Sequence, residues 1–186
     1  MTHQKPQGFT LVETMVAITI VMLAIAGPFT VVQSSVNAAY VARDELIATS
    51  LAQEGLEFAR NVRDVNYLNG QSTFGADGWV SRISSCFANA TCMVDPNAAL
   101  ASQITICPSS GCLPLNIEGN ANLNNKYAYN HRATSQTNTV SRFTRSLQLT
   151  RIAGSPNEVK LTVTVSWITA RIPHTVTVTE NITNWL

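Results

Sequence analysis

Charged side chains are scarce in this chain of 186 residues. Only 12% of its residues are Asp, Glu, Lys or Arg, against about 25% in ordinary soluble domains. The formal net charge is +1, which argues against a nucleic-acid partner because such binding needs a basic patch. The low charge does not predict disorder, because runs with helix and strand periodicity fill most of the chain.

Motifs that carry catalysis are also missing. The sequence has three histidines and shows no ordered Ser/His/Asp set, no glycine-rich phosphate loop and no histidine-rich metal spacing. We therefore expect no enzymatic activity, no catalytic residues, no metal and no cofactor.

A long apolar run near the N-terminus is the strongest positive feature. Residues 9–32 read FTLVETMVAITIVMLAIAGPFTVV, with Glu13 as the one formal charge. As a helix this run would extend about 36 Å at about 1.5 Å per residue, and a bilayer core needs about 20 apolar residues. An ordinary signal peptide has a shorter run and a clearly basic start. A charge inside a spanning segment costs about 2.5–3.5 kcal/mol, so Glu13 indicates a role other than insertion.

The segment Gly8-Phe9-Thr10-Leu11-Val12-Glu13 resembles the processing site of type IV prepilins and type II secretion pseudopilins. The resemblance implies that a membrane prepilin peptidase cuts between Gly8 and Phe9 and N-methylates Phe9. It also implies that Glu13 is an assembly residue, and that other pilin subunits, an inner-membrane assembly platform and membrane lipid are the partners. Cutting would leave a cationic amine on Phe9, which the Glu13 carboxylate of a neighbouring subunit could neutralise.

The apolar run continues into an amphipathic segment. Together they predict one helix from about Thr10 to Asn66, ended by Asn69-Gly70. Gly27-Pro28 predicts a kink or local melting, with an alternative in which the helix ends at Ile25 or Ala26. Apolar residues at three-to-four spacing predict a packed face: Val36, Tyr40, Ile47, Leu51, Phe58 and Val62. A small-residue strip of Ala48, Ala52 and Ala59 would allow close packing, and Glu57 with Arg60 and Arg60 with Asp64 would form surface pairs.

Four cysteines lie beyond the apolar run, at Cys86, Cys92, Cys107 and Cys112. An even number on the far side of a membrane segment favours disulfides in an oxidising compartment. Local pairing, Cys86 with Cys92 and Cys107 with Cys112, is the simplest of the three possible connectivities. A zinc site of four thiolates is one alternative, although only the second pair has suitable spacing, and free thiols are the other. The isolated His131 and His174 are expected to be ordinary surface residues.

The C-terminal third alternates apolar and polar residues. The alternation predicts three strands, over Phe143–Arg151, Val159–Trp167 and Thr175–Thr179, in a half-buried antiparallel sheet. The turns would lie at Gly154–Asn157 and Ala170–His174. Residues 67–142 are loop-rich, with strand candidates at Trp79–Ile83 and Gln103–Cys107.

The sequence therefore predicts an α+β fold of the type IV pilin kind, a long N-terminal helix packed on a C-terminal antiparallel sheet. The expected segments are a leader (1–8), a transmembrane helix half (9–32), an amphipathic helix half (33–66), a cysteine-containing loop region (67–142) and a sheet (143–186).

The chain end, from Val165-Ser166-Trp167 to Thr183-Asn184-Trp185, resembles minor pilins of the PilV type. The expected location is the inner membrane, crossed once with the C-terminal domain outside the cytoplasm, and a surface filament after assembly. The alternative is a membrane-anchored extracytoplasmic binding module that never polymerises.

Overall fold

The structure is a computed structural model that describes residues 8–70, 78–87, 90–96, 98–119, 127–131 and 138–184. The chain divides into two units, residues 1–44 and 45–186. Residues 1–7 of the expected leader, and Trp185, lie outside the described residues.

One helix, α1, spans Leu11–Leu68, within two residues of the prediction at each end. It ends where Asn69 N donates to Val65 O at 3.0 Å and Gly70 adopts a φ of 70°, a conformation that glycine adopts without steric penalty. The helix is continuous through Pro28. The alternative end at Ile25 or Ala26 is therefore wrong, and the expected local melting does not occur.

In the first unit the described side chains of residues 8–40 are all exposed, including every large apolar one. The serine and threonine hydroxyls that lie within the helix of this unit turn back onto its own backbone: those of Thr14, Thr19, Thr30, Ser34 and Ser35 each donate to a carbonyl three or four residues earlier, at 2.8–2.9 Å. A hydroxyl bonded in this way needs no water. Helix α1 is long and apolar enough, by length and composition, to cross a membrane.

The described residues of the second unit form two antiparallel sheets. The larger has the order β2-β1-β6-β7-β8 and the smaller β4-β3-β5. The strands are β1 (Cys92–Val94), β2 (Ile104–Ile106), β3 (Asn116–Gly119), β4 (Tyr127–Asn130), β5 (Asn138–Val140), β6 (Thr144–Ile152), β7 (Ser155–Thr169) and β8 (Ile172–Thr183). Leu115 joins the sheets, because its N donates to Phe143 O and its O accepts from Ser141 N, both at 2.8 Å.

The core lies between the larger sheet and the part of α1 that belongs to this unit. Ala48, Ala52 and Ala59 are fully buried, so the expected small-residue strip is confirmed. Gly55 extends this strip, since a Cβ built on it would lie 2.9 Å from Val163 Cγ1 in β7. The small side chains allow the helix backbone to approach the sheet closely. The α+β prediction, a long helix packed on an antiparallel sheet, is confirmed.

Some predictions of local structure are wrong. Val36 and Tyr40 are 47% and 56% exposed, because residues 8–44 include no described second layer that could cover a helix face. The strand candidate Trp79–Ile83 lies in a 3₁₀ segment, Gly78–Cys86, which is kinked at Val80, where φ is −120° and ψ is 19°. The burial of Trp79, Val80 and Ile83 does not alternate as it would in a half-buried strand.

The remaining strand predictions hold, with shorter turns than expected. Gln103–Cys107 contains β2, and the three C-terminal strands are confirmed as antiparallel neighbours. The observed turns are only Ala153-Gly154 and Ala170-Arg171, because β6, β7 and β8 are longer than the predicted strands. The smaller sheet was not predicted, since its strands have only three or four residues.

Candidate functional site

The candidate site at the N-terminus is the short segment where the chain enters α1. Gly8, Phe9 and Thr10 precede the helix without regular structure, and Phe9 is 80% exposed. A Cβ built on Gly8 meets nothing within 4 Å, and Gly8 is not among the glycines with positive φ. Among the described residues, neither a close contact nor a positive φ requires glycine at this position.

Glu13 lies in the first turn of α1, where its backbone makes one of the two hydrogen bonds of a capping box. Its backbone N donates to Thr10 Oγ1 at 3.3 Å, and Thr14 N donates to Thr10 O at 3.2 Å. Thr10 is thus the N-cap and Glu13 the third helical residue, where Glu or Gln is favoured. A carboxylate there also interacts favourably with the helix dipole. This local role was not predicted, although the spacing Thr-x-x-Glu is its sequence signature.

The cysteines form two local disulfides, Cys86–Cys92 and Cys107–Cys112. The first ties the 3₁₀ helix to β1, and both its residues are fully buried. The second closes a loop that follows β2. The zinc alternative is wrong, because all four sulfur atoms are in disulfides. Within the described part of the chain, no group of three or more His, Cys, Asp or Glu side chains could hold a metal ion.

A buried arginine was not singled out from the sequence. Arg145 in β6 has no exposed surface, and its guanidinium donates to Glu54 Oε2 at 2.6 Å, Val94 O at 2.8 Å and Leu51 O at 3.2 Å. These bonds join α1, β1 and β6 at one point. The sequence did contain a signal for a buried arginine, because Arg145 stands at a position of the alternating strand that faces inward.

The surface ion pairs of α1 differ in part from the prediction. Glu57 pairs with Arg60 as expected, but Arg60 also binds Glu180 of β8 through two bonds of 3.0 and 2.6 Å. Asp64 pairs with Arg63 instead of Arg60. Hydrogen bonding to Glu180 raises the pKa of Arg60. The expected Arg60–Asp64 pair is therefore wrong, because β8 presents a carboxylate to the same guanidinium.

The two histidines are not ordinary surface residues. His174 stacks on Trp167 with ring centroids 5.3 Å apart. Both ring nitrogens of His131 are buried, and neither has a hydrogen-bond partner among the described residues. Burial, followed by the nearby charge of Arg145, lowers the pKa of His131 to about 4, while Asp95 opposes the shift. The expectation for both residues is therefore wrong.

Comparison with known proteins adds one finding. Residues 4–27 match the family model described as a prokaryotic N-terminal methylation motif, and this match contains Gly8, Phe9, Glu13 and most of the apolar run. No curated protein and no solved structure matches the chain. The motif supports a prepilin-type substrate and a pilin-like structural subunit. Together with the exposed apolar part of α1, it indicates membrane anchoring.

Proposed function

We propose that the chain is the precursor of a minor pilin, or of a minor pseudopilin of type II secretion. Prepilin peptidase would release residues 1–8, and the mature subunit would enter or prime a type IV pilus-like filament. The observation that carries this proposal is the methylation motif over residues 4–27 at the start of an exposed apolar helix.

The processing step would occur between Gly8 and Phe9, followed by methylation of the Phe9 amine. Three features of the segment support it. Residues 8–10 are exposed, they lie outside the helix, and, apart from its chain neighbours, no atom of the described residues lies within 4 Å of a Cβ built on Gly8. A peptidase that needs a small residue and an accessible backbone would find both at Gly8.

The assembly step would depend on Glu13. Its carboxylate lies in the exposed apolar part of α1, where a charge is costly in lipid. After cleavage, the Phe9 amine of an adjacent subunit would supply the opposite charge. At an effective dielectric of about 20, charges about 4 Å apart attract by about 4 kcal/mol. Desolvation offsets part of this attraction. Because few axial positions bring the two groups together, the pair would set subunit register.

The second unit would lie outside the cytoplasm and form the exposed surface of the subunit. Its two disulfides support this placement, because disulfides persist in oxidising compartments. The resemblance of the chain end to PilV-type proteins supports a minor subunit. The remaining proposed partners are other pilin subunits, the inner-membrane assembly platform and the lipid around the apolar helix.

Fractionation of sheared filaments tests the proposal in a host that has a complete assembly system. The parent chain should appear in the filament fraction, whereas Gly8→Arg should remain in the membrane as a longer precursor. Gln7→Arg is the matched control, since it places the same side chain one residue earlier and should enter filaments. Failure of the parent to enter filaments, or entry of Gly8→Arg at the parent level, would contradict the proposal and favour a simple membrane anchor.

A further inference from the structure

We propose that the Cys107–Cys112 disulfide is a thiol–disulfide exchange site, open to a dithiol oxidoreductase, while Cys86–Cys92 is closed to exchange. The two bonds therefore have separate roles in one small domain. The Cys107–Cys112 bond can be opened and reformed in the folded protein, and the Cys86–Cys92 bond holds the core. This inference rests on the second unit alone and does not depend on the proposed filament function.

The two bonds differ sharply in their exposure. Cys86 and Cys92 are both 0% exposed and belong to the hydrophobic core. Cys107 and Cys112 are half-buried, and all four residues between them are exposed. An attacking thiolate must approach a sulfur atom directly. In the folded protein, only the Cys107–Cys112 bond offers that approach.

The environment of Cys112 favours its departure as a thiolate. Its Sγ lies 3.7 Å from the hydroxyl oxygen of Thr91. The Thr91 carbonyl accepts from Cys107 N at 2.8 Å, which holds Thr91 beside the disulfide. When the bond breaks, the hydroxyl can donate to the new thiolate, and a hydrogen bond to the charged form stabilises it. A more stable thiolate leaves faster in exchange, so attack should occur at Cys107.

The exchange is balanced when a dithiol is the reductant. Its first thiolate attacks Cys107 Sγ, which forms a mixed disulfide and releases Cys112 as a thiolate that then takes up a proton. Its second thiol loses a proton and attacks the reductant's own sulfur in the mixed disulfide. This breaks the bond to Cys107, which leaves as a thiolate and takes up a proton. Two electrons pass from the dithiol to the protein, and the dithiol becomes a disulfide. An oxidised partner of the same class reverses both steps.

The surface around the loop suits an apolar contact with such a partner. Residues 98–117 contain no charged side chain. Ile106 and Leu113 flank the disulfide at 55% and 54% exposure. They would contact a protein dithiol without desolvating a charge. A small dithiol reagent needs no such surface, so it tests accessibility separately from docking.

The fold can tolerate opening of this bond. Beyond the loop, Leu115 is fully buried and fixed by its backbone bonds to Phe143 and Ser141. On the other side, β2 is paired with β1 over three residues. Opening the disulfide should therefore release the four loop residues without releasing either neighbour.

Differential alkylation of the full chain in detergent tests accessibility. Dithiothreitol would be added without denaturant, free thiols blocked with iodoacetamide, and labelled peptides identified by mass spectrometry. Cys107 and Cys112 should be labelled together, and Cys86 and Cys92 only after denaturant is added. Equal labelling of both pairs under native conditions, or no labelling of Cys107 and Cys112 before denaturation, would overturn the proposal.

The role of Thr91 gives an independent rate measurement. Thr91→Val should slow native reduction by about threefold to tenfold, as expected for loss of one hydrogen bond, and Thr91→Ser should retain the parent rate. Thr105→Val in β2 is the matched control and should also reduce at the parent rate. If Thr91→Val and Thr105→Val have equal rates, Thr91 does not assist the leaving thiolate, and the assignment of attack to Cys107 is wrong.

Discussion

Arg145 and Glu54 form an ion pair of 2.6 Å in which the arginine side chain is fully buried and the glutamate side chain is 38% exposed. The pair joins the central strand β6 to α1. Removal of the glutamate would leave a cation inside the protein, with only backbone carbonyls as acceptors. Removal of one partner of such a pair is therefore more costly than loss of a surface pair.

We expect Glu54→Gln to lower the free energy of unfolding by about 1–3 kcal/mol. This loss is smaller than that for removing one partner of a fully buried ion pair, because the Glu54 carboxylate is partly in water. Glu57→Gln is the matched control, since Glu57 is 67% exposed in its pair with Arg60. Its effect should stay within about 0.5 kcal/mol. Denaturant unfolding in detergent, followed by tryptophan fluorescence, measures both. Equal effects would contradict a stabilising role for the buried pair.

Gly55 should resist substitution although it lies inside a helix. Alanine would improve helix propensity by about 1 kcal/mol, but its Cβ would lie 2.9 Å from Val163 Cγ1, and overpacking costs about 1–3 kcal/mol. We therefore expect Gly55→Ala to be neutral or destabilising in the parent and stabilising in a Val163→Ala background. A double-mutant cycle on unfolding free energies measures this. The same Gly55→Ala effect in both backgrounds would show that the close contact is unimportant.

His131 should make stability depend on pH. Its pKa is about 4 in the folded protein and about 6.5 in an unfolded chain. Between these values the unfolded state binds more protons, so stability should fall as pH drops from about 6.5 toward 4. Arg145 and Asp95 are the charged groups that act on His131. The fall in melting temperature over this window should be shallower in His131→Gln. A slope identical to that of the parent would exclude His131 as its source.

Sequence alone was sufficient where a pattern extended over many residues. The helix and two of the three C-terminal strands were predicted because periodicity over nine or more residues identifies an element and its buried face. The third strand was predicted from the five alternating residues Thr175–Thr179. The observed disulfides have the local pairing that was the simplest of the three connectivities, although the sequence did not exclude the other two. The sheet of β3, β4 and β5 was missed because strands of three or four residues have no measurable period.

Side-chain partners were harder to predict, because they depend on distant parts of the chain. Arg60 binds Glu180, which is 120 residues away, and Arg145 binds Glu54, which is 91 residues away. At the N-terminus, the proposed cleavage, methylation and assembly roles involve other molecules. They remain predictions supported by the motif match.

The Glu13 proposal predicts that charge matters more than local capping. Glu13→Gln keeps a residue that suits the capping box but removes the charge, and it should reduce filament incorporation about tenfold for a net loss of about 1.4 kcal/mol. Thr10→Val removes the cap hydroxyl, keeps the carboxylate, and should incorporate normally. Both variants should still lose residues 1–8. The ratio of filament to membrane protein by immunoblot measures the effect. Normal incorporation of Glu13→Gln would exclude an electrostatic role in assembly.

The central claim, that this chain is a processed pilin-like precursor, is tested most directly by intact and N-terminal peptide mass spectrometry of protein purified from its native membrane. We predict that the mature chain begins at Phe9 with one methyl group on its amine, and that deletion of the host prepilin peptidase leaves residues 1–8 attached. A native chain that retains these residues in a host with active peptidase, or one that begins after a cut near Ala26, would contradict the account.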